Sequence, residues 1–285
     1  MDASPAASAV PQAAGLPPPK AWLALLLGLI ASPVAFLYVG RARLAIAFFA
    51  VPLLLIPFMG WTGLIFTPVR FYATALLLLA VAIVAWLWPF FVARRWHSGS
   101  RTARYHRLWI YLLVALVTSL FRPMLIGHRA ELFGWEPFRV PSGAMRKTIA
   151  VGDFLLADGR HNRPPAVGDI VIYRSNHGDK PLFVKRLMAL PGDRIAMRQC
   201  KVILNGVAMQ EPYVLLAADA EKLDQGICNW AELTLGADEI FLLGDNRLAS
   251  ADSRGQGPSH LADIKARARF IWWSRDRDRI GRRLD

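Results

Sequence analysis

Long apolar runs without a charged residue fill the first part of the chain. Three of them cover residues 21–40, 44–69 and 71–93, and basic residues mark their ends. A helix needs about 20 apolar residues to cross the hydrocarbon core of a bilayer, so each run predicts a transmembrane helix. A fourth run, 108–121, is shorter. It predicts a fourth span if it extends to Gly127 with Arg122 reaching the interface, and otherwise a buried or interfacial helix.

The charge of the chain agrees with a lipid bilayer as its partner. The net charge is +13, yet 54% of the 285 residues are hydrophobic and only 19% are charged. A basic protein that binds nucleic acid normally has more charge and fewer apolar residues, so no nucleic-acid partner is expected. Ten basic residues and one acidic residue, Asp2, lie in the first 122 residues. Most of the excess positive charge therefore lies in the apolar half, where it marks loops between spans.

The basic residues also predict an orientation. Loops rich in Lys and Arg stay in the cytoplasm, and the segment Arg94 to Arg107 holds five arginines. The Arg41–Arg43 loop is then also cytoplasmic, whereas the loop near Arg70 lies outside. Four spans place everything after about residue 128 on the periplasmic or outer side of a bacterial inner membrane. If the fourth run does not span, that part is cytoplasmic.

The remainder of the chain predicts a mostly β domain. Short apolar runs bounded by turn residues are typical of strands, and they occur at residues 154–156, 170–173, 183–184, 202–204, 240–243 and 270–273. Asn205-Gly206 predicts a hairpin turn. The sequence thus predicts a Pro/Ala-rich tail (1–20), a membrane domain with about four transmembrane helices (21–127) and a β domain (128–285). The alternating charges of Arg275 to Arg283 predict a solvated or frayed tail.

Three separated blocks in this second half form a known pattern. They are Glu136 to Met145 with Gly152-Asp153, then Phe183-Val184-Lys185-Arg186 with Leu190-Pro191-Gly192-Asp193, and last Gly244 to Arg254. In this order they resemble the bacterial type I signal peptidases (leader peptidases), over about residues 136–273. That family consists of membrane-anchored serine endopeptidases with a Ser–Lys dyad and an exported β-rich catalytic domain. The resemblance implies signal peptides of secreted preproteins as partners.

The resemblance also implies roles for individual residues. Lys185 is the expected general base, Ser142 supplies a hydroxyl to the oxyanion hole, and Ser250 orients the lysine amine. Structural support is expected from Met145 and from Asp252 with Arg254. A lysine at its ordinary pKa of about 10.4 is protonated, and it acts as a base only when burial lowers that pKa. The apolar neighbours Phe183, Val184 and Leu187 fit this requirement.

The chain departs from the family at the nucleophile. The family pattern Pro-Ser-Gly-Ser-Met reads Pro141-Ser142-Gly143-Ala144-Met145 here, and Ala144 has no hydroxyl with which to form an acyl-enzyme. Lys147 also replaces the proline that usually precedes the threonine, and Leu248-Ala249 replaces a usual Asp-Asn pair.

Three explanations of Ala144 follow: a natural inactive paralogue that still binds signal peptides, a deliberate Ser→Ala change, or Ser142 as substitute nucleophile. The third is disfavoured, because Ser142 lies two residues away from the nucleophile position. The chain is therefore either a signal peptidase I family protein that cleaves or at least binds signal peptides, or a catalytically inactive signal-peptide-binding or regulatory membrane protein.

Cofactors and metals are not expected. The six histidines (His97, His106, His128, His161, His177 and His260) show no metal-ligand spacing. Cys200 and Cys228 lie in the domain predicted to be exported, where a disulfide persists. They form either one bridge or two buried free thiols.

Overall fold

The computed structural model describes residues 17–95, 107–127, 129–160, 163–175, 182–216 and 227–284. The helices are α1 (Ala21–Ile30), α2 (Ser32–Tyr38), α3 (Ala42–Trp61), α4 (Pro68–Arg94), α5 (Leu108–Gly127), α6 (Arg129–Phe133) and α7 (Ser253–Gln256). The strands are β1 (Trp135–Arg139), β2 (Phe154–Asp158), β3 (Ile170–Arg174), β4 (Leu182–Ala189), β5 (Arg194–Arg198), β6 (Lys201–Leu204), β7 (Val207–Ala208), β8 (Trp230–Thr234), β9 (Glu239–Leu243), β10 (Ser259–His260) and β11 (Ile264–Trp273). Two compact units result: Met1–Leu55 with Ala75–Gly127, and Ile56–Thr74 with His128–Asp285.

Two helices, α3 and α4, are long and apolar enough to cross a membrane. They correspond to the second and third apolar runs. The first run does not form one spanning helix, so that expectation is wrong. It is divided into α1 and α2, of 10 and 7 residues, by an extended Ala31. The physical reason is Pro33 in the first turn of α2, since proline lacks an N–H and begins a helix more readily than it continues one. In α5 the apolar stretch Leu108–Leu120 is shorter than a span. The described helices therefore do not confirm four spans.

The second half is an antiparallel β domain, as predicted. A seven-stranded sheet has the order β1-β2-β11-β3-β4-β9-β10, and a four-stranded sheet has the order β7-β6-β5-β8. All six predicted runs lie in strands, namely β2, β3, β4, β6, β9 and β11. The Asn205-Gly206 turn joins β6 to β7, and both residues have positive φ, 51° and 84°. This left-handed conformation suits Asn and Gly and makes a tight hairpin turn.

Strand β3 shows why the predicted runs are so apolar. Ile170 and Ile172 face one buried cluster, while Val171 and Tyr173 face another. Successive side chains of a strand point to opposite faces, so a strand covered on both faces needs apolar residues at every position. The first cluster also contains Met145, which fixes the turn that carries the candidate nucleophile position.

The segment between α3 and α4 packs on the β domain within the second unit. Ile65 and Phe66 form a buried cluster with Leu156 and Phe270. Arg160 strengthens this contact, because its guanidinium lies 4.6 Å from the centre of the Phe66 ring and donates a hydrogen bond to the Trp61 carbonyl at 2.9 Å. Residues 56–74, which belong to the predicted membrane region, thus cover one face of the sheet.

The C-terminal tail is ordered against the same sheet, so it is not frayed, although most of its charged side chains between Arg275 and Arg283 are exposed to solvent as predicted. The Ile271 N–H donates to the Arg282 carbonyl, and the Leu284 N–H donates to the Arg269 carbonyl, each at 3.0 Å. Leu284 is 7% exposed and joins the core. The burial of Leu284 anchors the tail, and the alternating charges of the sequence do not predict this anchoring.

Cys200 and Cys228 form a disulfide, so the two-thiol alternative is wrong. The bridge links the end of β5 to the chain just before β8, across a sequence separation of 28 residues. A cross-link of this kind stabilises a fold mainly by restricting the unfolded chain.

We expect replacement of both cysteines by alanine to lower the free energy of unfolding by about 3 kcal/mol, because a closed loop of this length restricts the unfolded chain by roughly that amount. Thermal unfolding of the full chain in mild detergent measures the change. A reductant should lower the midpoint of the original protein and leave that of the double variant unchanged. Equal midpoints with and without reductant would contradict a structural role for the bridge.

Candidate active site

Ala144 lies on a turn that follows β1 and is closed by backbone hydrogen bonds. The Val140 N–H donates to the Asp153 carbonyl and the Gly152 N–H to the Val140 carbonyl, both at 2.9 Å. Met145, 1% exposed, anchors the turn in the core. Ala144 itself is 7% exposed, so its position is fixed by the hydrogen-bonded turn and is largely shielded from solvent.

The loop that begins at Gly244 packs directly on this turn. The Asn246 backbone N–H donates to the Ala144 carbonyl at 3.0 Å, and its side-chain amide donates to the Gly143 carbonyl at 3.1 Å. A Cβ added at Gly244 would lie 2.5 Å from the Ala144 oxygen and would also overlap the Ser250 hydroxyl. Only glycine fits there, and its lack of a side chain brings Ser250 against the turn of Ala144.

Lys185 lies on β4, opposite Val171 of β3, and is 2% exposed. Its ammonium nitrogen is 6.0 Å from the centre of the Phe183 ring. Burial lowers the pKa of Lys185; the negative charge of Asp252 opposes this shift, and the positive charge of Arg254 adds to it. The predicted base therefore lies in surroundings that favour a neutral amine, as proton abstraction requires.

Asp252 connects the loop to this lysine. It caps α7 and accepts a hydrogen bond from the Gly244 N–H at 3.0 Å. The Arg254 guanidinium donates to both of its carboxylate oxygens, at 2.8 and 2.9 Å, and also to the Arg247 carbonyl. Burial acts to raise the pKa of Asp252. The hydrogen bonds and charge of Arg254, with the Gly244 N–H and the Ser250 hydroxyl, outweigh it, so the pKa is lowered. Asp252 is thus an anion that holds Gly244 in place.

The structure brings Ala144 and Ser250 together around Gly244. It also places Asp252, which pairs with Arg254, near enough to Lys185 for its charge to affect the lysine pKa. Ser142 lies on the same turn as Ala144, but its side chain is exposed to solvent. Within the described ranges, no group of three or more His, Cys, Asp or Glu side chains could hold a metal ion. Of the histidines, His260 is described and pairs with Asp238, and the other five lie outside the described residues.

Asp245, to which the sequence pattern assigns no role, holds three parts of the site together. Arg186 donates to its two carboxylate oxygens at 2.8 and 2.7 Å, and the Thr148 hydroxyl donates at 2.5 Å. The motif blocks could have indicated this ion pair, since Arg186 follows Lys185 in the second block and Asp245 lies within the third.

A second unpredicted element is the segment Glu211 to Leu215, which runs beside the same loop. The Leu215 N–H donates to the Asp245 carbonyl at 2.7 Å, and the Glu211 carboxylate pairs with the buried Arg247 guanidinium. Arg186 lies over the Tyr213 ring, 3.7 Å from its centre. No spacing in the sequence indicates these contacts.

Lys147 ties that segment to the turn of Ala144. Its ammonium donates to the carbonyls of Pro212 and Val214, at 2.5 and 3.2 Å. Its φ is +92°, a conformation that the proline usual at this family position cannot adopt, because its ring fixes φ near −65°. Lys147 in place of proline therefore also means a backbone conformation at this position that proline would not allow.

Comparisons with known proteins agree with the motif blocks. A family model described as "Signal peptidase, peptidase S26" matches residues 109–273. Signal peptidase I T of Bacillus subtilis (strain 168) is 32% identical over 164 residues, which cover 56% of this chain and 82% of that protein. A solved signal peptidase I from Enterococcus faecalis V583 is 27% identical and covers 37% of this chain and 97% of that one, with a TM-score of 0.30.

Plant relatives match over a smaller share of their length. Thylakoidal processing peptidase 1 of Arabidopsis thaliana is 29% identical over 150 residues, 48% of this chain, and the probable thylakoidal processing peptidase 2 is 32% identical over 147 residues. The chain spans 42% and 38% of the lengths of these two proteins.

We expect Lys185→Met to stabilise the protein at neutral pH, because the buried amine has a lowered pKa whereas the unfolded lysine titrates near 10.5. Between these two pKa values the unfolded chain binds one more proton than the folded chain. As the pH increases within this window, the free energy of unfolding of the original protein should therefore rise relative to that of the variant, by up to about 1.4 kcal/mol per pH unit. Urea unfolding of both proteins from pH 7 to 10 measures this difference. A constant difference across that range would show that Lys185 is protonated throughout.

Proposed function

This chain belongs to the signal peptidase (peptidase S26) family, and we propose that its β domain binds the signal peptides of exported preproteins at the Ala144–Lys185 site without cleaving them. The observation that carries the proposal is the combination of a buried Lys185 with an alanine at the nucleophile position. Lys185 has the buried surroundings that a general base needs, whereas position 144 lacks the hydroxyl that would attack the peptide carbonyl.

The family mechanism explains what Ala144 removes. A neutral Lys185 would take the proton of a serine at position 144, and that serine would attack the carbonyl after a small residue of the signal peptide. The Ser142 hydroxyl and the backbone N–H of residue 144 would stabilise the oxyanion. The protonated lysine would give its proton to the departing amine of the mature protein, and a lysine-activated water would then hydrolyse the acyl-enzyme and release the signal peptide. Without the hydroxyl the first step cannot occur, although the site keeps the groups that hold a peptide carbonyl.

Ser142 is a weak substitute nucleophile. Its side chain is exposed, whereas Lys185 is 2% exposed and the turn carries Ala144 into the shielded part of the site. A nucleophile has to be within hydrogen-bond reach of its base. The exposure of Ser142 suits a side chain at the mouth of the site, where it could still donate to a bound carbonyl.

A bacterial inner membrane with the β domain on the outer side is the proposed location. The positive-inside rule places the Arg70 loop outside, independently of the β domain. Residues 56–74 and the β domain belong to one compact unit, and the Tyr72 hydroxyl donates to the Trp272 carbonyl at 2.5 Å. Segments packed together in this way lie on one side of a membrane, so these contacts support the orientation derived from charge.

We expect the chain as it stands to leave a preprotein uncleaved and Ala144→Ser to cleave it, with a gain on the order of 10³ or more, because loss of the nucleophile abolishes nearly all dyad chemistry. The measurement is conversion of a preprotein with small residues at its cleavage site by full-length protein in detergent or vesicles. Ala144→Ser combined with Lys185→Met is the matched control and should be inactive.

Binding is measured in the same preparations, by photo-crosslinking of a labelled signal peptide to the unmodified chain. Crosslinking without cleavage is the expected result, and a mature protein without its signal peptide should not compete. Cleavage by the unmodified chain would overturn the proposal, and its loss in Ser142→Ala would then identify Ser142 as the nucleophile. Failure to crosslink would also overturn it.

A further inference from the structure

A cavity of about 500 Å³ in the β domain is lined in part by Arg186, the residue that follows Lys185 on β4. Three parts of the β domain form its walls: the turn at Thr148, the segment Arg163 to Asp169, and the C-terminal residues Arg282 to Leu284. Arg186 of β4 completes it. The ordered tail is essential here, because two of the lining arginines come from it.

The lining of this cavity is basic. Its lining contains four arginines (Arg163, Arg186, Arg282 and Arg283) and a single carboxylate, Asp169. Guanidinium groups gathered in a concave site favour an anion, and their planar fork suits the oxygens of phosphate in particular.

The carboxylate in the lining does not neutralise it. Asp169 is shared by Arg163 and by the buried Arg267, each 3.6 Å away, and it also accepts a hydrogen bond from the Ala166 N–H at 2.8 Å. One negative charge is thus divided between two guanidinium groups at separations longer than a close ion pair.

Arg163 and Arg282 are the residues best placed to contact a ligand. Arg186 is committed to Asp245, at 2.7 Å. The Arg163 side chain is 55% exposed, and Arg282 is also exposed and makes no ion pair within the part of the chain that the structure describes. These two can move to a ligand without breaking a buried contact.

From this arrangement we infer that the cavity binds a phosphate-bearing anion through Arg163 and Arg282. The shared chemistry is a phosphate group, and its source is either the headgroup of an anionic lipid or a soluble phosphate compound. The inference is separate from signal-peptide binding, since no part of it uses Ala144 or Lys185. The site nevertheless borders the active-site framework, because Arg186 and Thr148 line the cavity and also hold Asp245.

The test uses full-length protein in an uncharged detergent, stripped of lipid, and the double variant Arg163→Gln/Arg282→Gln. Arg198→Gln, which removes an exposed arginine on β5 of the other sheet, is the matched control. One measurement is titration with inorganic phosphate at constant ionic strength. The other is native mass spectrometry of retained phosphatidylglycerol, with phosphatidylcholine as the neutral comparison.

We expect the double variant to bind phosphate, or to retain phosphatidylglycerol, at least about tenfold more weakly than the original protein, since it loses two charge-assisted contacts. Arg198→Gln should match the original. A loss confined to phosphatidylglycerol identifies a lipid headgroup, and a loss confined to inorganic phosphate identifies a soluble ligand. Absence of binding by the original protein in both measurements, or equal binding by the original and the double variant, would overturn the inference. Neither readout involves a signal peptide, so failure here is distinguishable from failure of the proposed function.

Discussion

The Asp245 carboxylate is the point at which the separate motif blocks become one site. Arg186 grips both of its oxygens from β4, and Thr148 donates to it from the turn that carries Ala144. Asp245 is 1% exposed, and a buried carboxylate is stable only when such donors replace water. Because its donors come from two distant segments, a shift of either segment removes hydrogen bonds from a buried carboxylate. The positions of Ala144, Lys185 and the Gly244 loop therefore depend on this one carboxylate.

A second buried carboxylate, Asp252, sets the electrostatics around Lys185. Its negative charge favours the protonated lysine, but Arg254 neutralises it with two hydrogen bonds. The balance leaves burial as the main influence on Lys185, and the pKa falls. The arginine two residues beyond Asp252 is thus more than a brace for the loop. Without Arg254, the charge of Asp252 would oppose more strongly the lowering of the Lys185 pKa by burial.

The sequence was informative wherever a local pattern determines the structure. Strands such as β3, buried on both faces, appear as unbroken apolar runs, and the motif blocks located Lys185, Ser250 and Asp252. Strand β8 escaped notice because most of its side chains are exposed, and its pattern therefore lacks an apolar signal. The contacts of Glu211 and Tyr213 join residues separated along the chain, and no local pattern records them. The break in the first apolar run was visible in Pro33, but hydropathy alone cannot separate one long helix from two short ones.

The burial of Lys185 helps to interpret the alanine at position 144. Charged groups inside a protein contribute little net stability, and apolar residues of similar size usually stabilise as well or better. A domain that had only to remain folded would lose nothing by replacing Lys185 with methionine. Here the lysine is retained with lowered pKa, together with the paired carboxylate and arginine that control it. Such an arrangement makes physical sense where a bound peptide uses the amine or its surroundings. The buried amine and the charged pair beside it therefore favour a site that still receives a ligand over a scaffold that has lost its function.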